Sequence, residues 1–171
     1  MVFLGVDRWW FSMNWHIPPR IKVYGALGCI ADERITFEES DDCCVAKVFS
    51  SSNGKCYTVT WSKAKNAIMS NDNSSYWKAE LGYPSIALLM LNDILPLDKK
   101  LSNSLKGILW KDINQKHKND WAKTEEEVYL VAHRRGVDKE KLKVGAEKVL
   151  VGIEKLGVGL LGEKTMPPEG H

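Results

Sequence analysis

The apolar residues of this chain change their spacing once, at Pro84, and that change limits the folds open to it. Before Pro84, the segments ERITFEE, CCVAKVF and KCYTVTW alternate apolar with polar residues and are rich in β-branched and aromatic types, a pattern that predicts strands. From Pro84 to Gly157, apolar residues recur at helical spacing. The sequence therefore predicts an α+β protein whose strands precede most of its helices.

Turn signals join the predicted strands into an antiparallel meander. The turn between the second and third strands contains Asn53 and Gly54, the dipeptide favoured in two-residue hairpin turns. A two-residue turn at this point would place Cys44 opposite Lys63. The segment NAIMS can supply a further strand, so we expect three or four strands in all.

Helix-capping signals divide the region after Pro84 into four helices. Pro84 fits the first position of one helix, and Asp98 can cap the next. Thr124 and Glu127 have the spacing of a capping box, in which each side chain accepts a hydrogen bond from the backbone N–H of the other residue. Gly136 ends that helix in a left-handed conformation, and the fourth helix follows it.

A further helix is predicted before the strands, where Ile21, Tyr24 and Leu27 recur at helical spacing after Pro18 and Pro19. The expected architecture is an N-terminal helix, a small antiparallel meander of three or four strands, and four C-terminal helices packed on the sheet. We predict a single domain over residues 1–171, with residues 1–17 as an N-terminal arm and residues 162–171 as a loose tail.

Composition predicts a cytoplasmic protein without a membrane partner. Of the 171 residues, 44% are hydrophobic and 27% are charged, values that are ordinary for a globular protein. No apolar run reaches the roughly 20 residues that span a bilayer. Asp7 and Arg8 interrupt the apolar opening segment, so no secretory signal is predicted.

The sequence predicts neither a metal site nor a cofactor. The side chains of Cys43 and Cys44 would point to opposite faces of a strand, so they cannot both coordinate one metal ion. Phosphate-binding loops, dinucleotide fingerprints and paired metal-binding histidines do not occur among the motifs of the chain. The four cysteines are therefore expected to be reduced thiols.

Excess positive charge is confined to one segment of the chain. The net charge is +2, yet residues 99–123 alone carry seven Lys or Arg residues against two Asp or Glu residues. On a single helix, Trp110 would lie opposite the apolar stripe of Leu101, Leu105 and Ile108. An aromatic ring among cations and amides is a surface that can bind phosphates and stack a base. The candidate nucleic-acid contacts in this segment are Lys106, Trp110, Lys111, Asn114, His117 and Lys118.

A second candidate for nucleic-acid binding lies between residues 128 and 146. Ala132, Gly136, Val137 and Leu142 have the offsets of the small residue, turn glycine and apolar plugs of a helix-turn-helix unit, which this segment resembles. That resemblance implies that the second helix would contact DNA through residues near its start. These residues are Lys139, Lys141 and Lys143.

Both candidates have a structural alternative. A tight corner between two packed helices also needs a small residue and a glycine, and Glu140 and Glu147 on the second helix would oppose phosphate. Trp110 can equally be buried between two layers, with the lysines around it covering its rim. The sequence leaves these alternatives open.

The leading functional hypothesis is a non-enzymatic binding protein whose partner is DNA or RNA. The alternative is a protein-interaction or homo-oligomeric assembly module, which the seven tryptophans favour. The third is a small hydrolase or ligand-binding enzyme in which Asp120 orients His117 as a base. No residue is assigned a catalytic role, because no nucleophile motif accompanies that pair. Asp72, in the loop SNDNSS, is interpreted as a turn or cap residue.

Overall fold

The fold follows the change of apolar spacing at Pro84, with four strands before that residue and most of the helices after it. A computed structural model describes residues 14–169. In chain order, its elements are α1 (Arg20–Ala31), β1 (Ile35–Glu39), β2 (Cys44–Phe49), β3 (Cys56–Ser62), β4 (Ala67–Ser70), α2 (Asn73–Lys78), α3 (Tyr83–Leu91), α4 (Lys99–Ser104), α5 (Trp110–Lys116), α6 (Trp121–Arg134), α7 (Lys139–Leu156) and β5 (Gly159–Leu160).

Within residues 14–169, the sheet has five strands in the order β1-β2-β3-β4-β5. The first four form the predicted antiparallel meander. The expectation of a purely antiparallel sheet is wrong, because β5 pairs in parallel with β4. Only two residues make up β5, so it is too short to show an alternating pattern. Its pairing depends on the path of the chain after Gly157, which ends α7 with a φ of +55°.

The turn between β2 and β3 is longer than predicted. Phe49 pairs with Cys56, and the backbone N–H of Ser50 donates to the carbonyl of Lys55 at 3.0 Å. Four residues, rather than two, therefore form the turn, and Cys44 lies opposite Trp61 instead of Lys63. Because the register differs by two residues, each side chain still points to the face that alternation predicts.

Six helices, rather than four, follow the meander. The polar segment that contains Asp72 forms the short helix α2, with Asp72 as its N-cap. The single helix predicted through Leu105 and Trp110 is two helices, α4 and α5. Gly107 separates them with a φ of +78°, a conformation that interrupts a right-handed helix.

The predicted packing of all the C-terminal helices on the sheet is also wrong. Helix α3 contacts β1, β3 and β4, while α1 contacts α3, α4, α6 and α7. Every residue from Pro84 to Met90 in α3 is buried, as expected for a helix that is enclosed on all sides. Helix α1 is therefore the centre of the helical layer, and α3 links it to the sheet.

Several predicted helix ends are confirmed. The carboxylate of Asp98 accepts hydrogen bonds from the backbone N–H groups of Lys100 and Leu101, at 2.9 and 3.1 Å. Gly136 follows α6 with a φ of +82°, and α7 begins soon after it, at Lys139.

The predicted start of α6 at Thr124 is wrong. The helix begins at Trp121, and the N-cap is Asp120, which accepts a hydrogen bond from the backbone N–H of Lys123. Thr124 is fully buried in the helix, while the side chain of Glu127 contacts α5 instead of turning back to the helix start. Tertiary packing against α5 thus replaces the capping box.

The predicted N-terminal arm lies largely outside the described residues, and so do Trp9 and Trp10. Trp15, at the end of that segment, is buried, and its Nε1 donates to the carbonyl of Ile68 at 3.0 Å. The predicted tail has no helix or strand as far as residue 169. No helix within residues 14–169 has the length and apolar character needed to span a membrane.

Candidate ligand-binding cleft

A cleft with a volume of about 530 Å³ opens between α1, α2, α5 and the β2–β3 turn. We call it the α1–α5 cleft. Small-molecule sites commonly have volumes of roughly 300–1,000 Å³, so this cleft is large enough for a ligand of the size of a nucleotide. Its lining combines aromatic rings, lysines and short polar side chains.

Five aromatic side chains line the cleft. They are Tyr57, Trp77, Tyr83, Trp110 and Trp121. The rings of Tyr57 and Tyr83 meet edge to face, with centroids 6.3 Å apart. Trp77 is 69% exposed at the rim, whereas Trp110 is 8% exposed in the wall. A planar ligand in the cleft would therefore have a buried ring in the wall and an exposed ring at the rim available for contact.

Positive charge dominates the cleft. The cations are Lys22, Arg34, Lys55, Lys78 and Lys111, and Asp72 is the one carboxylate among the lining residues. Arg34 is held by the carbonyl of Phe49, to which Nη1 donates at 2.6 Å, and by Asp32. The four lysines form no ion pair within residues 14–169. The cleft therefore has cationic groups available for an anion.

Two of these lysines converge on one ring. The Nζ atoms of Lys22 and Lys78 lie 5.2 and 5.8 Å from the ring centroid of Trp121. Burial lowers the pKa of Lys22; the charge of Lys78 also lowers it, while Asp72 and Glu80 act in the opposite direction. An anionic ligand near Trp121 would relieve the repulsion between the two ammonium groups.

Asp72 does not neutralise the lysines by direct pairing. Its buried carboxylate accepts hydrogen bonds from the hydroxyls of Ser70 and Ser75, both at 2.6 Å, and from the backbone N–H of Ser75 at 3.2 Å. A side chain at Gly82 would overlap this carboxylate, so glycine is required for the close approach. Asp72 thus holds the start of α2, and with it Trp77 and Lys78, against the cleft.

Polar residues complete the rim. They are Ser50, Ser51, Ser52, Asn73, Ser74, Asn114, Gln115 and Asn119. The backbone N–H of Lys111 donates to Oγ of Ser51 at 3.4 Å, which ties the β2–β3 turn to the start of α5. These hydroxyls and amides can donate to or accept from a ligand without adding negative charge.

Three of the predicted nucleic-acid contacts line the cleft: Trp110, Lys111 and Asn114. Lys106 does not share a helix with Trp110, because the chain turns at Gly107 between α4 and α5. Lys106 lies in that connection, with its side chain exposed and its carbonyl bound by Arg135 at 2.6 Å.

His117 and Lys118, at the end of α5, do not line the cleft. Nε2 of His117 lies 2.7 Å from Oε1 of Glu127, which also binds Lys116. The predicted pairing of His117 with Asp120 is wrong, because the Asp120 carboxylate caps α6. Lys118 is exposed and has a φ of +51°.

The corner between α6 and α7 is well packed. Ala132, Val137 and Leu142 are fully or almost fully buried at the predicted offsets. That arrangement is shared by helix-turn-helix units and by plain helical corners.

The lysines of the predicted recognition helix are partly engaged with α6. Nζ of Lys139 binds Glu126 at 2.8 Å and lies 5.0 Å from the ring centroid of Tyr129, and Lys143 lies 5.8 Å from the same centroid. Lys141 is exposed. Two of the three lysines therefore have contacts within the protein that DNA would have to replace.

Sequence reasoning missed the cleft residues outside the basic segment, above all Lys22, Lys55 and Lys78. These lysines belong to α1, the end of the β2–β3 turn and α2, and no local motif connects them. Trp77 next to Lys78, in a segment of small polar residues, is the nearest local signal.

Comparison with known proteins gives a family and no function. No match was found among curated proteins or among solved structures. Residues 15–159 match one family, and this range includes the whole cleft. The chain belongs to the family described as uncharacterised conserved protein UCP014422.

Proposed function

We propose that the protein binds a ligand that joins a planar ring to an anionic group, as a nucleotide does, and that the ligand occupies the α1–α5 cleft. The observation that carries this proposal is the convergence of Lys22 and Lys78 on the ring of Trp121, in a cleft whose one carboxylate is already hydrogen-bonded. Rings would stack on the aromatic wall, and the lysines would hold the anionic group.

Two kinds of ligand with this chemistry must be distinguished. A free nucleotide and one nucleotide of a single-stranded DNA or RNA present the same ring and phosphate. A strand would extend beyond the cleft along α5, where Lys116 and Lys118 are exposed. The basic segment predicted from the sequence would then contribute phosphate contacts in addition to those inside the cleft.

The test is isothermal titration calorimetry, which measures the affinity of the protein for each of four ligands at several salt concentrations. The ligands are adenosine, adenosine monophosphate, single-stranded RNA and duplex DNA. We expect adenosine monophosphate to bind at least about tenfold more tightly than adenosine, because the nucleoside lacks the charge that the lysines recognise. If the strand is the natural ligand, RNA should bind more tightly still, with a steeper dependence on salt.

Matched variants locate the site. Lys78→Gln and Lys111→Gln each remove one cleft cation, and we expect each to weaken nucleotide binding by about tenfold. Lys141→Gln removes an exposed cation from α7 and should leave binding unchanged. An equal loss in Lys141→Gln, or no binding of any probe at low salt, would refute the proposal. Tight duplex binding that only Lys141→Gln weakens would support DNA recognition by α6 and α7 instead.

The assembly-module hypothesis makes a different prediction. Exposed apolar side chains, including Leu130 and Val144, would be covered in an oligomer. Sedimentation velocity over a range of protein concentrations measures this directly. A monomer at all concentrations, together with nucleotide binding, would favour the ligand-binding function.

A further inference from the structure

Lys22 differs from the other cleft lysines in its surroundings. Its side chain is half-buried in the first turn of α1, whereas Lys78 and Lys111 are exposed. Nζ lies over the ring of Trp121, and the charged groups that act on it are Asp72, Lys78 and Glu80. No carboxylate within residues 14–169 lies within 4.0 Å of this nitrogen. Lys22 is therefore a partly desolvated amine beside a second cation.

Two features of this environment lower the pKa of Lys22. Burial removes water that would stabilise the ammonium ion, and Lys78 repels a second positive charge. Asp72 and Glu80 act in the opposite direction, but the pKa of Lys22 is lowered overall. Lysines that are desolvated or placed next to another cation are those that act as nucleophiles toward carbonyl groups.

We propose that Lys22 forms an imine with a carbonyl group of an anionic ligand bound in the α1–α5 cleft. The proposal rests on the proposed function, since the anionic group must be held by neighbouring lysines while the carbonyl faces Lys22. It narrows the ligand class to aldehydes or ketones that carry a phosphate or carboxylate. Lys78 and Lys111 would hold the acid group, and the aromatic wall would hold the rest of the ligand.

Formation of the imine requires no oxidant or reductant. The neutral Nζ attacks the carbonyl carbon, so that a carbon–nitrogen bond forms and the carbonyl π bond breaks. The oxygen then leaves as water with the two hydrogens that were on the amine, and a carbon–nitrogen double bond remains. Water must leave the site, which the open rim at Trp77 allows.

The probe for the experiment is pyridoxal 5′-phosphate, an aldehyde with a planar ring and a phosphate. An equimolar amount is mixed with the full-length protein, sodium cyanoborohydride reduces any imine to a stable amine, and peptide mass spectrometry locates the product. Lys65, exposed in the turn between β3 and β4, reports non-specific labelling. We expect Lys22 to be labelled at least about tenfold more than Lys65, because Lys22 lines the cation-rich cleft and Lys65 does not.

The control variant is Lys22→Arg, which keeps the positive charge but cannot form the imine. It should lose the label at position 22, and binding of pyridoxine 5′-phosphate, the alcohol analogue that cannot form an imine, is measured with the original protein. Circular dichroism checks that the variant is folded. Equal labelling of Lys22 and Lys65, or preferential labelling of Lys78, would overturn the proposal.

The aldehyde and its alcohol analogue distinguish a failure to form the imine from a failure to bind in the cleft. If the alcohol analogue binds and no product forms at Lys22, the imine proposal is wrong and the proposed function stands. If neither phosphate compound nor adenosine monophosphate binds, both proposals are wrong.

Discussion

The indole of Trp110 packs against Gly28 of α1, so closely that a Cβ at position 28 would lie 2.9 Å from Nε1 and 3.2 Å from the carbonyl oxygen of Leu105. This contact brings the start of α5 against the central helix. Nε1 of Trp110 is buried without a hydrogen-bond partner among the described residues, so packing rather than hydrogen bonding holds the ring. The wall of the cleft therefore depends on the absence of a side chain at Gly28.

Replacement of Gly28 by alanine should destabilise the protein. The added methyl group would displace Trp110 and Leu105, and we expect the free energy of unfolding to fall by about 1–3 kcal/mol. Gly25→Ala is the matched control on the same helix, because its Cβ would meet Tyr83 at 3.4 Å, an ordinary contact. That variant should change the free energy by less than about 1 kcal/mol. Urea unfolding measures both, and equal losses would contradict the role assigned to Gly28.

Asp72→Ala should destabilise the protein more than removal of an exposed cap. The change removes the N-cap of α2 and leaves the buried hydroxyls of Ser70 and Ser75 without their acceptor. We expect the free energy of unfolding to fall by about 2–4 kcal/mol, compared with about 1 kcal/mol for Asp98→Ala at the exposed start of α4. Thermal and urea unfolding of the two variants make the comparison. A loss for Asp72→Ala no larger than that for Asp98→Ala would show that the buried network contributes little.

The hydroxyls of Tyr24 and Tyr129 should be energetically coupled. They lie 3.1 Å apart, and the Tyr129 hydroxyl also donates to Glu125 at 3.0 Å. Tyr129→Phe leaves the Tyr24 hydroxyl buried without that partner. We therefore expect the free energy of unfolding to fall by about 1–3 kcal/mol in this variant, compared with about 1 kcal/mol in Tyr24→Phe. The double variant should lose less than the sum of the two. Strict additivity in a double-mutant cycle would show that the hydrogen bond is not significant.

Cys29 should be the slowest cysteine to react in the folded protein. Burial raises the pKa of its thiol to about 11, because the thiolate would be desolvated in the protein interior. At a pH of about 8, iodoacetamide should therefore modify the half-buried Cys43 and Cys56 well before Cys29. Mass spectrometry of the modified peptides follows the reaction, and in denaturant Cys29 should react as fast as the others. Rapid reaction of Cys29 in the native protein would contradict its burial.

Local sequence signals predicted the helices and strands better than they predicted how these elements pack together. Alternation and caps identified α1, the four strands of the meander and the corner at Gly136, because each depends on residues a few positions apart. The same reasoning placed α6 too late, at Thr124, and joined α4 to α5 across Gly107. In both places, a plausible local pattern was overridden by contacts between segments that are close only in the folded chain.

The sequence by itself determined the α+β class, the antiparallel meander and the basic character of residues 99–123, since periodicity, turn residues and charge are properties of the chain. Tertiary structure alone decided that α1 is the central helix, and that Lys22, Lys55, Lys78 and Lys111 line one cleft. The physical reason is distance along the chain. Neighbouring residues set local conformation, whereas a cleft requires segments tens of residues apart to be brought together by burial of their apolar faces.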